Sequence, residues 1–178
     1  ALRDDVPSAG PYDHVTVGSG HGCVTATDGT ATCWAGSAAR ELGQGPGFVP
    51  GAAFRALAAG PGVTCGVSTT GTLYCAGRHD FGQLGDGGRL PSLRRTDPLA
   101  MSSLVGVRTV SVGGLDEPGG RATASACAID GADRLWCWGD NFGNSLGLGP
   151  AMDDDDHVAV PTRVGTGTTW SDVSAGDL

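Results

Sequence analysis

Short runs of apolar and β-branched residues, separated by turns rich in glycine and aspartate, recur along the chain. The run at 23–26 is followed by Thr27-Asp28-Gly29 and then by a second run at 31–34. An Asp-Gly turn between two such runs predicts a β-hairpin, because glycine adopts a positive φ without steric cost. Almost no segment as long as a helix has apolar residues at helical spacing. The pattern therefore predicts an all-β fold built from short strands.

Three landmarks recur in a fixed order, so the chain is internally repeated. Each unit begins with a seven-residue segment ending in glycine, continues with two cysteines ten residues apart, and reaches a Leu-Gly pair nine residues later. Self-similarity on this scale indicates a solenoid, a propeller or an array. The segments are 12–18, 54–60, 107–113 and 170–176; the cysteine pairs are Cys23 and Cys33, Cys65 and Cys75, and Cys127 and Cys137; the Leu-Gly pairs are Leu42-Gly43, Leu84-Gly85 and Leu146-Gly147.

The cysteine spacing predicts one disulfide within each hairpin. If Cys23 faces Cys33, the connecting loop has three residues, which is a common hairpin length. Facing residues of such a ladder lie about 4.5–5.5 Å apart at Cα, a distance that a disulfide spans. The predicted pairs are therefore Cys23–Cys33, Cys65–Cys75 and Cys127–Cys137, and three pairs of buried thiols are the alternative.

The landmarks also predict how the chain is divided. Gly18 and Gly60 precede their cysteines by five residues, whereas Gly113 precedes Cys127 by fourteen. The third unit therefore contains an insertion at 114–122, and we expect its residues 115–121 to form an exposed loop on one rim. The predicted division is a lead-in at 1–11, units at 12–53, 54–106 and 107–169, and the start of a fourth unit at 170–178.

A family resemblance is carried by the residues around the second cysteine of each pair. The run Cys137-Trp138-Gly139-Asp140-Asn141 resembles the regulator of chromosome condensation repeat, and so does Phe81-Gly82-Gln83-Leu84-Gly85. No unit has the complete pattern, since Ala76 replaces its tryptophan and His79 its asparagine. The resemblance implies a β-propeller of four-stranded blades, usually seven. We therefore expect a partial arc of about three blades, completed by further blades of the same chain or by another copy.

Composition and charge limit the cellular compartments and the classes of binding partner that suit this chain. The chain has 11 arginines, no lysine and a net charge of −8, and an acidic domain binds nucleic acid or anionic membranes poorly. It has no run of 18 apolar residues, so we predict no membrane span. Three disulfides would place the chain in an oxidising compartment, that is secreted, at the cell surface or in the periplasm.

The candidates for site chemistry are few. Carboxylate oxygens suit Ca²⁺, but the only charge run lacks the alternating spacing and the glycine of a calcium loop, so a solvated loop is the preferred interpretation. The four histidines form no spaced metal set, and no phosphate loop or nucleophile elbow is present. We therefore predict no cofactor and no catalytic residue. The charge run is Asp153, Asp154, Asp155 and Asp156; the tryptophans, which we interpret as packing residues rather than a sugar-binding surface, are Trp34, Trp136, Trp138 and Trp170.

These observations predict a non-enzymatic extracellular β-propeller. Its role would be protein–protein interaction, or a structural part in a cell-surface or secreted assembly, alone or with other copies. The resemblance implies two alternatives. A secreted enzyme inhibitor of the β-lactamase-inhibitory propeller type would need aromatic hot spots on one face. Guanine-nucleotide exchange suits a reducing compartment and conflicts with the predicted disulfides.

Overall fold

The computed structural model describes residues 10–35, 48, 51–89, 94–116, 122–149 and 157–176. Within these ranges the chain forms antiparallel strands and a single 3-10 turn at Phe142–Asn144, so the all-β prediction is confirmed. The strands are β1 Tyr12–Gly18, β2 His21–Ala26, β3 Ala31–Ala35, β4 Phe54–Gly60, β5 Val63–Ser68, β6 Leu73–Arg78, β7 Arg94–Ala100, β8 Val107–Asp116, β9 Ala122–Asp130, β10 Leu135–Asp140 and β11 His157–Arg163.

The strands form three separate sheets, each a meander in which consecutive strands are hydrogen-bonded neighbours. Blade 1 contains β1–β3, blade 2 contains β4–β7 and blade 3 contains β8–β11. In each blade the first strand is the inner one, and the inner strands β1, β4 and β8 lie beside one another in sequence order. This arrangement of small sheets around an axis is that of a β-propeller arc.

The middle strands of each blade form a hairpin that is closed by a disulfide. Cys23 pairs in register with Cys33, and the bonded cysteines have Cα atoms 4.1 Å apart. The corresponding Cα distances in blades 2 and 3 are 4.2 and 4.1 Å, and no described cysteine is free. Gly29 and Gly71 adopt a positive φ in the first two hairpin turns, whereas Asp133 adopts it in the third, with φ of 58°.

A glycine near the end of each inner strand allows the next blade to approach closely. A Cβ atom on Gly18 would lie 2.4 Å from the carbonyl oxygen of Gly60, and one on Gly60 would lie 2.5 Å from Cγ1 of Val112. A Cβ on Gly113 would lie 2.4 Å from the carbonyl oxygen of Gly176. The glycine that ends each of the first three seven-residue segments is therefore required by packing between blades.

Main-chain hydrogen bonds from hairpin turns repeat at each junction between blades. The Phe54 amide that begins β4 donates to the Gly29 carbonyl oxygen at 2.8 Å, and the Val107 amide that begins β8 donates to Gly71 at 2.9 Å. The Trp170 amide donates to the Asp133 carbonyl oxygen at 3.2 Å. Each hairpin turn thus positions the first residue of the next inner segment.

Side chains of the inner strands strengthen the same junctions. The Thr16 hydroxyl accepts a hydrogen bond from the Ala59 amide at 3.0 Å, and the Ser111 hydroxyl accepts one from the Ala175 amide at 2.9 Å. Arg55 donates to the carbonyl oxygen of Val107, and Arg108 donates to that of Trp170. Residues 170–176 therefore make the inter-blade contacts of an inner strand, although no described residue pairs with them in a ladder.

The hydrophobic core lies between blades rather than inside any one of them. Leu73, Leu84 and Ile129 are fully buried between blades 2 and 3. Phe54 packs edge-on against Phe48 and Tyr74, with ring centroids 5.4 and 5.8 Å apart, in the smaller cluster between blades 1 and 2. A blade in this architecture buries its faces only against its neighbours.

Candidate interaction surface

The antiparallel meander sorts the connections of the blades onto two opposite ends. One end, which we call the loop face, carries the β1–β2, β4–β5 and β8–β9 hairpins and the long loops after β6 and β10. The other end, the turn face, carries the disulfide-hairpin turns and the connections that lead from one blade to the next. Equivalent ends of neighbouring inner strands are in contact, so each face is continuous across the blades.

The β8–β9 hairpin extends the loop face beyond the sheet. The sequence predicted an exposed loop for residues 115–121. Leu115 and Asp116 instead continue the ladder by pairing with Thr123 and Ala122, and residues 117–121 lie outside the described part of the chain. The insertion therefore begins as two paired strands, because backbone pairing satisfies donors and acceptors that a loop would leave to water. Leu115 remains 37% exposed on this extension.

The loop after β10 presents an aromatic side chain to solvent. Phe142 is 65% exposed at the start of the 3-10 turn. Its amide donates to Oδ1 of the buried Asp140 at 3.1 Å, and the Leu146 amide donates to Oδ1 of the buried Asn141 at 3.1 Å. Two buried polar side chains therefore hold the loop so that Phe142 points outward.

The loop after β6 is organised by a buried histidine. His79, which is 1% exposed, donates from Nε2 to Oδ1 of Asp86 at 2.6 Å, and the Gly88 amide donates to the same oxygen at 3.0 Å. Burial raises the pKa of Asp86, but these hydrogen bonds and the charges of His79 and Arg95 outweigh it, so the pKa lies below its ordinary value. Asp86 is therefore ionised at neutral pH.

This loop of blade 2 also packs against the outer strand of blade 3. Arg89 donates to the His157 carbonyl oxygen at 2.8 Å, and the Gly87 amide donates to that of Ala159 at 2.9 Å. The Phe81 and His157 rings lie 4.5 Å apart. The loop after β6 and strand β11 therefore form one surface at the junction of blades 2 and 3.

The tryptophans do not share one surface. Trp138 is fully buried and donates from Nε1 to the Gln83 carbonyl oxygen at 2.9 Å, so it fixes the loop of the preceding blade. Trp136 donates to Oδ2 of Asp130 at 2.9 Å. The Trp34 ring lies across Gly22, where a Cβ would meet it at 2.5 Å, and Trp170 is 41% exposed.

The described residues offer no metal or catalytic constellation. No group of three His, Cys, Asp or Glu side chains in these ranges is arranged to hold a metal ion. His21 and His79 are engaged by Thr64 and Asp86, in different blades. The calcium candidates Asp153, Asp154, Asp155 and Asp156 lie outside the described residues. Within the described part of the chain, no helix is long and apolar enough to span a membrane.

Comparison with known proteins supports the fold. Residues 54–83 match the model of the regulator of chromosome condensation (RCC1) repeat. Yeast RCC1 (Prp20), solved bound to Kap60, is 19% identical with a TM-score of 0.66, and the match covers 87% of this chain and 37% of that chain. Human WBSCR16 is 21% identical with a TM-score of 0.67, over 89% of this chain and 39% of that chain.

A second structure of Prp20p from Saccharomyces cerevisiae, studied with its binding to Gsp1p and histones, is 19% identical with a TM-score of 0.65. That match covers 87% of this chain and 38% of that chain. No curated protein sequence matches significantly. The chain spans about two-fifths of the length of these structures. It therefore has the fold of an RCC1-type β-propeller over a partial arc, and its residues 54–83 match the RCC1 repeat.

Proposed function

We propose that this chain is a non-enzymatic protein-binding propeller segment that uses its loop face. The observation that carries the proposal is the exposed Phe142, held outward by Asp140 and Asn141 on the same face as the projecting β8–β9 hairpin. Exposed aromatic side chains on a rigid frame lose little entropy when they bind, and they are frequent hot spots of protein interfaces. Kap60, Gsp1p and histones, the partners studied with yeast Prp20, are also proteins.

The disulfides support action in an oxidising compartment. Each of the three hairpins carries a bridge, and structural disulfides persist in secreted, cell-surface and periplasmic proteins. They argue against a nuclear role in nucleotide exchange, because that compartment keeps thiols reduced. We therefore propose an extracellular or periplasmic partner.

The inner strand of blade 1 supports a role in a larger assembly. Val15 and Val17 are 69% and 71% exposed, whereas Val110 and Val112, at the same positions of blade 3, are 6% and 8% exposed under blade 2. We propose that a further blade, from the same polypeptide or another copy, covers Val15 and Val17. Such blades would contribute their own loops to the loop face.

A second candidate is inhibition of a secreted enzyme. Phe142 is exposed and Phe81 is half-buried in loops of the loop face, and aromatic side chains on one face support this candidate. The same experiment tests both candidates, because the identity of the captured protein distinguishes an enzyme from a structural component.

The test compares the two faces by site-specific photocrosslinking. A photoreactive phenylalanine analogue replaces Phe142 in one variant and Val105 in another, and each is incubated with the secreted fraction of the native source. Val105 is the matched control because it is 76% exposed on the turn face. We expect one defined protein to be captured from position 142 and lost on addition of unlabelled wild-type chain, but not of a Phe142→Ser chain. Equal capture from both positions, or none from position 142, would refute the proposal.

A further inference from the structure

A dipeptide that is chemically unstable in proteins occurs three times in this chain. Asp-Gly is present at Asp28-Gly29, Asp86-Gly87 and Asp130-Gly131. Glycine has no side chain to shield its amide nitrogen, so that nitrogen can attack the carboxyl carbon of the preceding aspartate. The structure places the three dipeptides in different surroundings, and these surroundings decide which one can react.

The reaction exchanges one backbone linkage for another and needs only water. The glycine nitrogen forms a bond to Cγ of the aspartate, and the hydroxyl of the carboxyl group leaves as water with the proton of that nitrogen. Water then adds to the main-chain carbonyl carbon of the resulting five-membered imide and breaks its bond to nitrogen. The product is isoaspartate, in which the backbone runs through Cγ and is one carbon atom longer.

The folded blade protects Asp130 from this reaction. Its side chain is 1% exposed, and its carboxylate accepts hydrogen bonds from two main-chain amides and from Trp136 Nε1. These donors would lose their partner if the carboxyl group turned toward the Gly131 nitrogen. Buried donors without partners are costly, so the carboxyl group stays in place.

Asp86 is protected by a contact between blades. Its side chain is 16% exposed, and His79 Nε2 lies 2.6 Å from its Oδ1. The nitrogen that would attack belongs to Gly87, whose amide donates to the Ala159 carbonyl oxygen of blade 3 at 2.9 Å. The reaction at Asp86 would therefore need blades 2 and 3 to separate locally.

Asp28 is the exposed aspartate of the set, in the hairpin turn of blade 1. The Thr30 amide donates to its Oδ1 at 2.8 Å. The Gly29 amide donates to the Ala26 carbonyl oxygen within the same turn, also at 2.8 Å. Opening of this turn alone frees both reacting groups, and an exposed turn opens at a lower free energy than two packed blades separate.

Ionisation does not distinguish the three aspartates. The hydrogen bond from the Thr30 amide lowers the pKa of Asp28 below its ordinary value. Burial raises the pKa of Asp86 and of Asp130, but hydrogen bonds outweigh it, so both pKa values also lie below the ordinary value. Exposure and hydrogen bonding therefore decide which aspartate reacts.

We propose that Asp28 is a site of spontaneous isoaspartate formation and that this modification loosens the junction of blades 1 and 2. Gly29 has little room to move, because a Cβ on it would lie 2.7 Å from Cβ of Ala53. Its carbonyl oxygen accepts a hydrogen bond from the Phe54 amide that begins β4, at 2.8 Å. An additional backbone carbon before Gly29 displaces this oxygen and breaks the hydrogen bond between the blades.

The test ages the folded full chain for several weeks at body temperature and localises isoaspartate by peptide mapping. A mildly acidic buffer is used, because the carboxyl group must be protonated to lose water. We expect isoaspartate at position 28 to exceed that at positions 86 and 130 about fivefold or more. In the reduced chain unfolded in urea, the three positions should react at similar rates, because the fold no longer protects two of them.

Hydrogen exchange measures the consequence for the junction. The amides of Phe54 and Val107 begin equivalent inner strands and donate to equivalent turns, but the turn before Val107 has no Asp-Gly. In chains modified at position 28, the Phe54 amide should exchange about tenfold faster than in fresh protein, and the Val107 amide should be unchanged. Asp28→Glu keeps the charge but forms a six-membered imide far more slowly, so the aged variant should match fresh protein.

Three results would overturn the inference. The first is no excess of isoaspartate at position 28 in the folded chain. The second is the same excess in the unfolded chain, which would make the local sequence and not the fold its cause. The third is an unaltered Phe54 amide in chains that carry isoaspartate at position 28.

Discussion

The glycines that end the inner strands have a different role from the glycines of the turns. Gly29 and Gly71 supply positive φ angles of 83° and 84° that hairpin turns need. Gly18 and Gly60 have no such backbone requirement, and they are small because a neighbouring blade occupies the place of a side chain. One residue type therefore satisfies two separate physical demands within each of the first two repeats.

Gly18→Ala is expected to destabilise the protein by about 2–3 kcal/mol, because the new Cβ would meet the Gly60 carbonyl oxygen and the blades would have to move. Gly176→Ala changes the equivalent position of the last segment, where nothing lies within 4 Å, and should stay within about 0.5 kcal/mol of the wild type. Urea unfolding of both variants measures the difference. If both substitutions lower the free energy of unfolding equally, close approach of the blades is not the reason for glycine at position 18.

Asp130 anchors the third hairpin turn from a position that is 1% exposed. It accepts hydrogen bonds from the Ala132 amide, from both the amide and the side chain of Arg134, and from Trp136 Nε1. Burial raises the pKa of Asp130, but these hydrogen bonds outweigh it and the pKa lies below its ordinary value. The carboxylate form therefore stabilises the fold.

Asp130→Asn is expected to cost about 1–3 kcal/mol at neutral pH, because the amide replaces one acceptor oxygen with a donor. A folded-state pKa below the unfolded value gives stability that is present above about pH 4 and is lost as the pH falls through the folded pKa. The free energies of unfolding of the wild type and the variant should therefore converge in acid. Urea unfolding at neutral pH and below about pH 4 measures this convergence. Asp28→Asn, at an exposed turn of blade 1, should have a smaller effect. If the free energies of unfolding of the wild type and Asp130→Asn differ by the same amount at both pH values, the carboxylate of Asp130 does not stabilise the fold.

At the scale of elements, each disulfide closes the hairpin that forms the middle of a blade. Cys65 and Cys75 are fully buried and pair in register in blade 2. Every blade is thin, and its faces are buried only by neighbouring blades, so a hairpin has little stability of its own. The covalent bond keeps the two strands in register when a neighbour opens.

The Cys65→Ala/Cys75→Ala variant should lose about 3 kcal/mol of stability, the chain-entropy value for a loop of about ten residues. The loss should be local first, so amides of β5 and β6 should exchange with solvent faster than those of blade 3. Hydrogen exchange and urea unfolding measure these effects. Non-reducing peptide mapping of the native protein should link 65 to 75, and a bridge between blades would be incompatible with this role.

The sequence predicted the inner strands and the disulfide hairpins because their chemistry repeats. It did not identify the outer strands, since β7 contains Pro98 and two adjacent arginines and β11 contains Pro161. Edge strands have one side without ladder partners, so they tolerate proline and charged residues that would argue against a central strand. The exposed Phe142 was missed because the exposure of a side chain depends on how loops and blades meet.

At the scale of the whole molecule, the apolar inner faces have different environments in the first and third blades. The faces of β4 and β8 are covered by the preceding blade, whereas Val15 and Val17 of β1 remain exposed. Two neighbouring exposed valines on an inner strand with one unpaired side offer apolar surface and free backbone groups to another strand or blade. This face is therefore the expected point of contact with another blade.

Residues 1–178 expressed alone should self-associate as concentration rises, because burial of Val15 and Val17 favours contact between copies. Val15→Ser/Val17→Ser should shift the molecular mass measured by light scattering toward that of the monomer. Val110→Ser, at an equivalent but buried position, should lower thermal stability instead. A wild-type chain that stays monomeric at every concentration would show that the exposed valines need no cover.

The hydrogen bond from Trp138 Nε1 to the Gln83 carbonyl oxygen has a consequence for the order in which the blades fold during translation. The two residues are 55 positions apart, and the later one secures a loop that was synthesised earlier. At about 5–20 residues per second, translation delivers this tryptophan about 3–11 s after the loop that it fixes. During that interval a nascent blade 2 has its strands but lacks the contact that closes its loop. Blade 2 is therefore completed by blade 3, so a ribosome that stalls between these two repeats would leave the loop of blade 2 open to proteases and chaperones.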